Sequence, residues 1–321
     1  MSITNVCAGA LAALVSCAAL AQAYPTRPIE LISHTSAGSG TDVVARALAD
    51  VVRRENLLPQ PFVVANRVGG AGVIAYTFFK SRRGDPYYML TVSPTLLIMA
   101  HRPDVNIGLE NYHPLALFAI DPQTIMVPAD SPYATFKELV EAARRQPDSL
   151  VAATTSVGGT GRLVIYLIEK AVPGAKFKFV TFKGGGEAVT SVAGGHTHFT
   201  TENISEGLGL LEAKKLRILG VAADRRLQHI PDVPTLQELG YPVQAGTTRG
   251  FAFPAGVPKE AAAIMEAALE RAHKTRAWKE HAARNYYLGI YMGSAEFGRY
   301  LEKRLAEARG FYNDIGLGAK P

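Results

Sequence analysis

A loop of small and polar residues is the first segment whose composition could do chemistry, and that chemistry would be anion binding. It follows an apolar segment, Ile29–Ser33, and consists of Ser36, Ala37, Gly38, Ser39, Gly40, Thr41 and Asp42. From Val43 onward apolar residues recur at three- and four-residue spacing, so we expect a strand, a loop and a helix that begins near Thr41 or Asp42. The first N–H groups of such a helix lack intrahelical acceptors, and glycines let a ligand approach the backbone. The helix dipole then favours a carboxylate or a phosphate, although an ordinary strand-to-helix turn has the same composition.

Three further loops have a similar composition, at residues 66–72, 154–161 and 183–187. Each follows a predicted strand and precedes a predicted helix, so we expect several of the four loops to converge on one polar ligand. None matches a nucleotide or catalytic motif. Val43 stands where a dinucleotide fingerprint needs a third glycine, and no P-loop, nucleophile elbow or His-Glu-x-x-His helix occurs. We therefore expect a binding protein without a catalytic residue or a cofactor.

A possible metal site and the role of Asp42 each have two interpretations. His196 and His198 lie two residues apart on a predicted strand and could bind a metal ion together with Glu202. Two histidines on a strand more often face solvent or pack, so we expect no metal site. Asp42 could contact a ligand amine or a water molecule, or it could cap its helix.

The first 23 residues carry no charged side chain, are rich in Ala, Leu and Val, and end in Ala21-Gln22-Ala23. This pattern predicts a cleaved secretory signal over residues 1–23. The alternatives are a lipoprotein acylated at Cys17, since residues 14–17 resemble a lipobox, and a membrane anchor at the lower length limit. Both cysteines, Cys7 and Cys17, lie in this segment. Cleavage would therefore leave no thiol for disulfides, catalysis or metal binding.

Charge and element pattern narrow the class of protein further. The chain has 321 residues and a net charge of +6, which suits small anions, an anionic membrane surface or nucleic acid. Its Lys and Arg residues are scattered over predicted helices without interleaved aromatics, so we expect no nucleic-acid partner. Predicted strands and helices alternate and become purely helical after residue 257, and Thr135 with Glu138 forms a capping box. Such alternation indicates α/β domains that bind ligands beyond the carboxyl ends of parallel strands.

An ordered set of motifs resembles the Bug, or tripartite tricarboxylate transporter, substrate-binding receptors of the bacterial periplasm. The motifs are Tyr24-Pro-Thr-Arg-Pro-Ile29, Gly38-Ser-Gly-Thr-Asp42, residues 66–72, Lys183-Gly184, Pro231-Asp-Val-Pro-Thr235 and Phe253-Pro-Ala-Gly-Val-Pro258. The resemblance implies a protein of the periplasm with a two-lobed, type II-like periplasmic-binding fold and its ligand in the interlobe cleft. Residues 24–121 plus 248–321 would form the first lobe, and residues 122–247 the second.

The same resemblance implies partners and a site. The partners are a small organic anion, mostly a carboxylate in characterised relatives, and inner-membrane transporter subunits, and we expect a monomer. Carried over by position, the ligand-binding residues are Ser36, Ala37, Gly38, Ser39, Gly40, Thr41, Asp42, Ser93, Thr155, Ser156, Gly159, Thr160, Arg162, Lys183, Glu202, Asn203 and Arg249.

The sequence departs from the family pattern where specificity would be set. Residues 34–37 are more polar than the proline-rich segment usual there, and Glu202 replaces the usual Asp. Arg162 and Arg249 add guanidinium groups. We hypothesise that one of them pairs bidentately with a ligand carboxylate, with a surface ion pair as the alternative for each.

The expected function is a non-enzymatic receptor that captures a carboxylate by lobe closure and delivers it to a tripartite tricarboxylate-type transporter. One alternative is a ligand sensor that signals to a membrane histidine kinase. Another is an exported hydrolase or lyase that uses Asp42 or Glu202 as its base.

Overall fold

The structure is a computed structural model that describes residues 24–101, 105 and 107–317. The predicted secretory signal and both cysteines lie outside the described residues. Within the described part of the chain, no helix has the length and apolar character needed to cross a membrane.

Strands and helices alternate along the chain, as the sequence predicts. In chain order the strands are β1 (Ile29–Ser33), β2 (Phe62–Asn66), β3 (Tyr88–Val92), β4 (Tyr112–Pro122), β5 (Thr124–Pro128), β6 (Val151–Thr154), β7 (Lys178–Thr181), β8 (Phe199–Thr200), β9 (Leu216–Val221), β10 (Gly246–Pro254) and β11 (Met292–Gly293). The α-helices are α1 (Gly40–Arg54), α2 (Val73–Lys80), α3 (Thr95–His101), α4 (Phe136–Arg145), α5 (Thr160–Ala171), α6 (Gly185–Ala193), α7 (Ile204–Glu212), α8 (Lys259–Lys274), α9 (Arg276–Arg284) and α10 (Ser294–Asp314).

The first sheet has six strands in the order β11-β4-β10-β3-β1-β2. β1 runs parallel to β2 and β3, whereas β10 is antiparallel to β3 and β4. Apolar side chains of α1, α8 and α9 cover one face, around Phe118, Phe251 and Trp278, and those of α2, α3 and α10 cover the other. The carboxy-terminal region is not purely helical, contrary to the prediction, because β11 pairs with β4 between α9 and α10.

The second sheet has five strands in the order β7-β6-β8-β5-β9, with β6 parallel to both of its neighbours. Apolar residues of α4 and α5 pack on one face and those of α6 on the other. The predicted capping box begins α4: the Glu138 N–H donates to Oγ1 of Thr135, and Oε2 of Glu138 accepts from the Ala134 N–H at 2.6 Å. Each sheet has its own apolar core, so the predicted two-lobed α/β fold is confirmed. We call the elements around the six-stranded sheet the first lobe and those around the five-stranded sheet the second lobe.

The chain passes between the lobes at two adjacent places. It leaves the first lobe where β4 ends and β5 begins, and it returns where β10 begins. The two passages are hydrogen-bonded, since the Gln123 N–H donates to the Ala245 carbonyl at 3.2 Å. The carboxyl ends of β1 and β3 in one lobe and of β6 and β8 in the other lead into the loops that precede helices α1, α3, α5 and α7.

Candidate functional site

The loop before α1 is held in place by the side chain of Asp42. This carboxylate is 1% exposed; its Oδ2 accepts hydrogen bonds from the Gly38 N–H at 2.9 Å and from Nε of Arg46 at 2.8 Å, and its Oδ1 accepts from Nδ2 of Asn66 at 2.8 Å. Burial alone would raise the pKa of Asp42, but the bonds from Arg46, Gly38 and Asn66 hold it below its ordinary value. The carboxylate therefore lies in the first helical turn and anchors the loop, while Ser39 occupies the N-cap position.

The other residues of this loop leave backbone donors at the helix start. Ser36, Ala37 and Gly38 are exposed, and Oγ of Ser39 donates to the Ser36 carbonyl at 2.8 Å. The helix begins at Gly40, so the N–H groups of its first turn have no acceptor inside the helix. A Cβ at Gly40 would lie 2.7 Å from Nη2 of Arg249, so a larger residue there would have to displace this buried guanidinium.

The loop before α5 has the same construction in the second lobe. Its helix begins at Thr160, with Gly159 at the N-cap and the Gly159 N–H donating to the Ser156 carbonyl at 3.3 Å. Gly161, which follows Thr160, has no room for a side chain, because a Cβ would lie 2.8 Å from Oγ1 of Thr201. That hydroxyl donates a hydrogen bond to the Gly161 carbonyl. The first N–H groups of α5 again have no intrahelical acceptor.

A small space between the lobes connects the α5 loop with the first lobe. Its volume is about 20 Å³, enough for roughly one water molecule. The lining residues are Pro94, Leu97, Gly158, Gly159, Thr160, Leu163, Gly246, Thr248, Arg304, Ala308 and Tyr312. They come from the loop after β3, from the α5 loop, from the start of β10 and from α10. The lobes are therefore closed against each other at the end of α5 that carries free N–H groups.

Ser93 lies beside this space in the loop that follows β3. Its side chain is buried; its Oγ lies 3.4 Å from Nε2 of His34 and accepts from the Thr95 N–H at 3.3 Å. The His34 imidazole is also buried, with no hydrogen-bond partner at Nδ1. Burial, assisted by Arg249, lowers the pKa of His34 to about 4, so the ring is neutral at physiological pH.

Two carboxylates of the protein lie at the loop formed by residues 183–187. The Lys183 N–H donates to Oε2 of Glu187 at 3.2 Å, and the carboxylate of Glu206 lies against Gly185 in the first turn of α6. The side chain of Lys183 is exposed and does not line the interlobe space. Glu187 therefore anchors this loop as Asp42 anchors the loop before α1, and Glu206 of α7 packs against its first helical turn.

Arg249 and Arg162 both have contacts within the protein. Nη2 of Arg249 lies 2.5 Å from Oδ2 of Asp121, and the two side chains are 5% and 1% exposed. Burial raises the pKa of Asp121 to about 6 against the opposing effect of Arg249, so Asp121 is ionised at neutral pH. The Arg162 guanidinium lies over the ring of Phe179, 4.7 Å from its centroid. The bidentate pairing with a ligand carboxylate stays a prediction, and for Arg249 it would compete with a buried ion pair.

Asn203 and Glu202 follow β8 but have different surroundings. Nδ2 of Asn203 donates to the carbonyls of Asp121 at 2.8 Å and Pro122 at 3.1 Å, and its Oδ1 accepts from Oγ1 of Thr247 at 3.1 Å. Its amide therefore joins both passages between the lobes. The Glu202 carboxyl is 5% exposed, and its Oε1 has no hydrogen-bond partner.

The structure thus brings together some of the predicted residues. The loop before α1 contacts Arg249, and the loop before α5 lines the interlobe space together with the loop that contains Ser93. Lys183 does not line that space. The sequence missed the lining residues on α10, because no local pattern shows that a helix will pack against both lobes. Thr248 could have been found, since it directly precedes Arg249 and begins the second segment of the predicted first lobe.

Among the residues of the alternative metal site, His198 has a hydrogen-bond partner within the protein. Nδ1 of His198 accepts a hydrogen bond from the Val151 N–H at 3.0 Å. Over the residues that the structure describes, no group of three His, Cys, Asp or Glu side chains is arranged to hold a metal ion.

Comparison with known proteins gives consistent matches along the chain. The UPF0065 protein in the gbd 5' region of Cupriavidus necator is 27% identical over 97% of this chain and 95% of its own length. Protein BugT of Bordetella pertussis is 30% identical over 69% of this chain and 68% of its own.

Solved structures of similar fold extend over nearly the whole chain. A TctC solute binding protein from Polaromonas matches with a TM-score of 0.75 and 29% identity, covering 91% of this chain and 99% of its own. R. palustris Rpa4515 with adipate has a TM-score of 0.81, and MatC from Rhodopseudomonas palustris with bound malate 0.76. Both are 22% identical to this chain, and both alignments cover 99% of the solved structure. Rpa4515 covers 92% of this chain and MatC 91%, so both show that the fold is shared.

The family described as "Tripartite tricarboxylate transporter family receptor" matches residues 44–317. This range includes both sheets except β1, and it includes the loops before α3 and α5. The chain therefore belongs to the tripartite tricarboxylate transporter family of receptors.

Proposed function

We propose that this protein is a periplasmic receptor that binds a small carboxylate between its lobes and delivers it to a transporter in the inner membrane. The observation that carries the proposal is the position of the α5 start, whose unbonded N–H groups border a space lined by both lobes. The α1 start supplies a second set of donors beside the Arg249 guanidinium. Both features favour an anion that spans the two helix starts.

The ligand class is supported by the relatives. Rpa4515 is described with adipate and MatC with malate, and both share the fold of this chain. We propose direct ligand contacts from the residues of the two loops and the β3 loop: Ser36, Ala37, Gly38, Ser39, Gly40, Thr41, Ser93, Thr155, Ser156, Gly159 and Thr160. Asp42 and Asn203 act through the backbone they hold. Charge-assisted hydrogen bonds, at roughly 1.5 to 3 kcal/mol each, are the strongest single contributions that these donors can make to carboxylate binding.

Lobe movement and export complete the proposal. An interlobe space of about 20 Å³ has to widen before a dicarboxylate can enter, so the lobes open at the two passages and close on the ligand. We assign residues 24–121 plus 248–321 to one moving body and residues 122–247 to the other. We further propose that residues 1–23 are removed on export and that the receptor is a monomer without catalytic activity.

A thermal-shift screen of the protein from Tyr24 onward tests this function. Aliphatic mono-, di- and tricarboxylates, aromatic acids and amino acids are compared with the amides of the same acids and with neutral sugars. A carboxylate at a hundred times its Kd should raise the free energy of unfolding by about 2.7 kcal/mol, since it binds only the native state. A rise with neutral compounds and none with their acids would contradict the proposal.

A further inference from the structure

Glu202 is a buried carboxyl group beside the donors of the α5 start. Its Oε1 would lie 3.6 Å from a Cβ on Gly161, and its side chain also contacts Thr155 in the same loop. A carboxylate next to a helix start ordinarily accepts hydrogen bonds from the first N–H groups, but Oε1 of Glu202 accepts none. Oε1 of Glu202 therefore takes none of the α5 donors, although Thr155 in the preceding loop is hydrogen-bonded to the carboxyl.

The groups that face Glu202 make its ionisation unfavourable. Burial is the largest effect, and the carboxylates of Glu206 on α7 and Asp121 on β4 add to it, whereas hydrogen bonding to Thr155 opposes it. The two nearby cations have other partners: Arg249 on β10 pairs with Asp121, and Arg162 on α5 lies over the ring of Phe179. The pKa of Glu202 rises from its ordinary value of 4.5 to about 8.

We propose that Glu202 recognises the ligand as a neutral carboxylic acid and donates a hydrogen bond to a ligand carboxylate oxygen that the α5 N–H groups also bind. An ionised carboxylate at this position would repel the ligand, whereas the neutral acid supplies the one donor that a carboxyl side chain has. This inference rests on the proposed function, and it gives Glu202, which the family resemblance places in the site, a role as a hydrogen-bond donor that determines specificity. It also makes ligand binding depend on a proton.

The proton gives a pH profile with a defined sign. Below about pH 8 the Glu202 carboxyl holds its proton and binding is strongest. Above that pH the free protein loses the proton, which must be taken up again on binding, so affinity should fall by about tenfold per pH unit. Ligand carboxyl groups are ionised throughout this range and do not contribute to the change.

The experiment measures Kd by calorimetry between pH 6.5 and 9.5 for wild type, Glu202→Gln, Glu202→Leu and Glu206→Gln. The probes are malate, adipate and the other carboxylates of the thermal-shift screen, and pH 8.5 is repeated in two buffers of different ionisation enthalpy. Gln keeps a donor, so Glu202→Gln should bind at pH 6.5 within about threefold of wild type and lose both the pH dependence and the proton uptake. Glu202→Leu keeps no donor and should bind about ten- to a hundredfold more weakly at pH 6.5.

Glu206→Gln is the matched control, because it removes a neighbouring charge that raises the pKa of Glu202 but leaves the carboxyl itself. It should move the midpoint of the wild-type profile to lower pH. A purely structural role for Glu202 would not produce that movement. Circular dichroism and thermal unfolding establish that each variant is folded.

The outcomes separate this inference from the function on which it rests. If wild type binds no carboxylate at any pH, the receptor function fails and the inference falls with it. If wild type binds carboxylates but Glu202→Gln keeps the same pH profile and the same proton uptake, only the inference is overturned. Loss of the pH dependence in Glu202→Gln together with the displaced midpoint in Glu206→Gln supports it.

Discussion

The hydroxyl of Tyr166 donates a 2.8 Å hydrogen bond to Oδ2 of Asp314, and this bond joins the two lobes. Tyr166 lies on α5 in the second lobe, and Asp314 ends α10, which packs on the first sheet. Nζ of Lys170 lies 3.2 Å from the same carboxylate oxygen, and the ring of Tyr166 lies 5.2 Å from that of Phe311. The last turn of α10 is therefore attached to the helix whose start borders the proposed site.

Tyr166→Phe tests whether this attachment stabilises the closed form. The variant removes the hydrogen bond but keeps the ring contact, so the lobes should open more readily and the ligand should dissociate a few-fold faster. Stopped-flow measurement of the dissociation rate detects the change. Tyr24→Phe is the matched control, because its hydroxyl donates to the Pro86 carbonyl at 2.6 Å within the first lobe. Equal dissociation rates in the two variants would show that the Tyr166 bond plays no part in closure.

Asp42→Asn should loosen the α1 loop and weaken ligand binding. The amide that replaces one carboxylate oxygen faces donors from Arg46, Asn66 and the Gly38 N–H, so at least one charge-assisted bond is lost, at a cost of about 1.5 to 3 kcal/mol. Denaturant unfolding and calorimetry measure the two effects. Asp50→Asn on the outer face of the same helix should change stability by less than about 1 kcal/mol, since it breaks only surface ion pairs.

Removing one partner of the buried pair Arg249–Asp121 should cost far more than removing both. Arg249→Met leaves an unpaired buried carboxylate, for which about 3 to 5 kcal/mol of destabilisation is expected, whereas the double variant with Asp121→Leu leaves no buried charge. The free energies of unfolding of both single variants and the double variant form a complete cycle. Additive losses would contradict the pairing.

Stability should pass through a maximum as the pH is raised. The pKa of His34 and of His281 is lowered to about 4, chiefly by burial, so the unfolded chain binds more protons below pH 6.5 and stability falls as the pH drops toward 4. Glu202 has the opposite sign, because its pKa is raised to about 8 and the folded state keeps a proton that the unfolded chain loses above 4.5. The contribution of Glu202 to the free energy of unfolding therefore declines as the pH rises from 4.5 to about 8.

Glu202→Gln isolates the second effect. The variant should melt at a higher temperature than wild type at pH 8.5, and the difference should disappear below pH 4.5, where both states of the wild type are protonated. Thermal unfolding followed by circular dichroism across this range is sufficient. A constant difference at every pH would mean that packing, and not ionisation, distinguishes the two proteins.

The features that the sequence predicted well are local ones. Thr135 and Glu138 are three residues apart, so their capping box is visible in the sequence, and the loops before α1 and α5 follow from small residues between a strand and an amphipathic helix. The apolar residues predict this strand only over Leu115 to Ala119, because proline is disfavoured inside a strand, whereas β4 runs from Tyr112 to Pro122 and includes Pro114.

The features that the sequence could not predict depend on distant partners. Arg249 meets Asp121 across 128 positions, and Asp314 meets Tyr166 across 148. Glu206 of α7 packs against Gly185 in the first turn of α6, whereas residues of the first lobe lie against the start of α5. Composition cannot distinguish that loop from the α5 loop, because the difference lies in side chains that folding brings from distant parts of the chain.

The central claim is that backbone N–H groups at the start of α5 bind a ligand carboxylate, and Thr160→Pro tests it most directly. Thr160 is the first helical residue, and Gly159 before it has an extended backbone, so proline fits and removes one N–H donor without breaking the helix. Thr160→Ala is the matched control, since it loses the same side chain but keeps the donor. We predict by calorimetry that Thr160→Pro binds its best carboxylate about tenfold or more weakly than Thr160→Ala. Equal Kd values for the two variants would contradict the account.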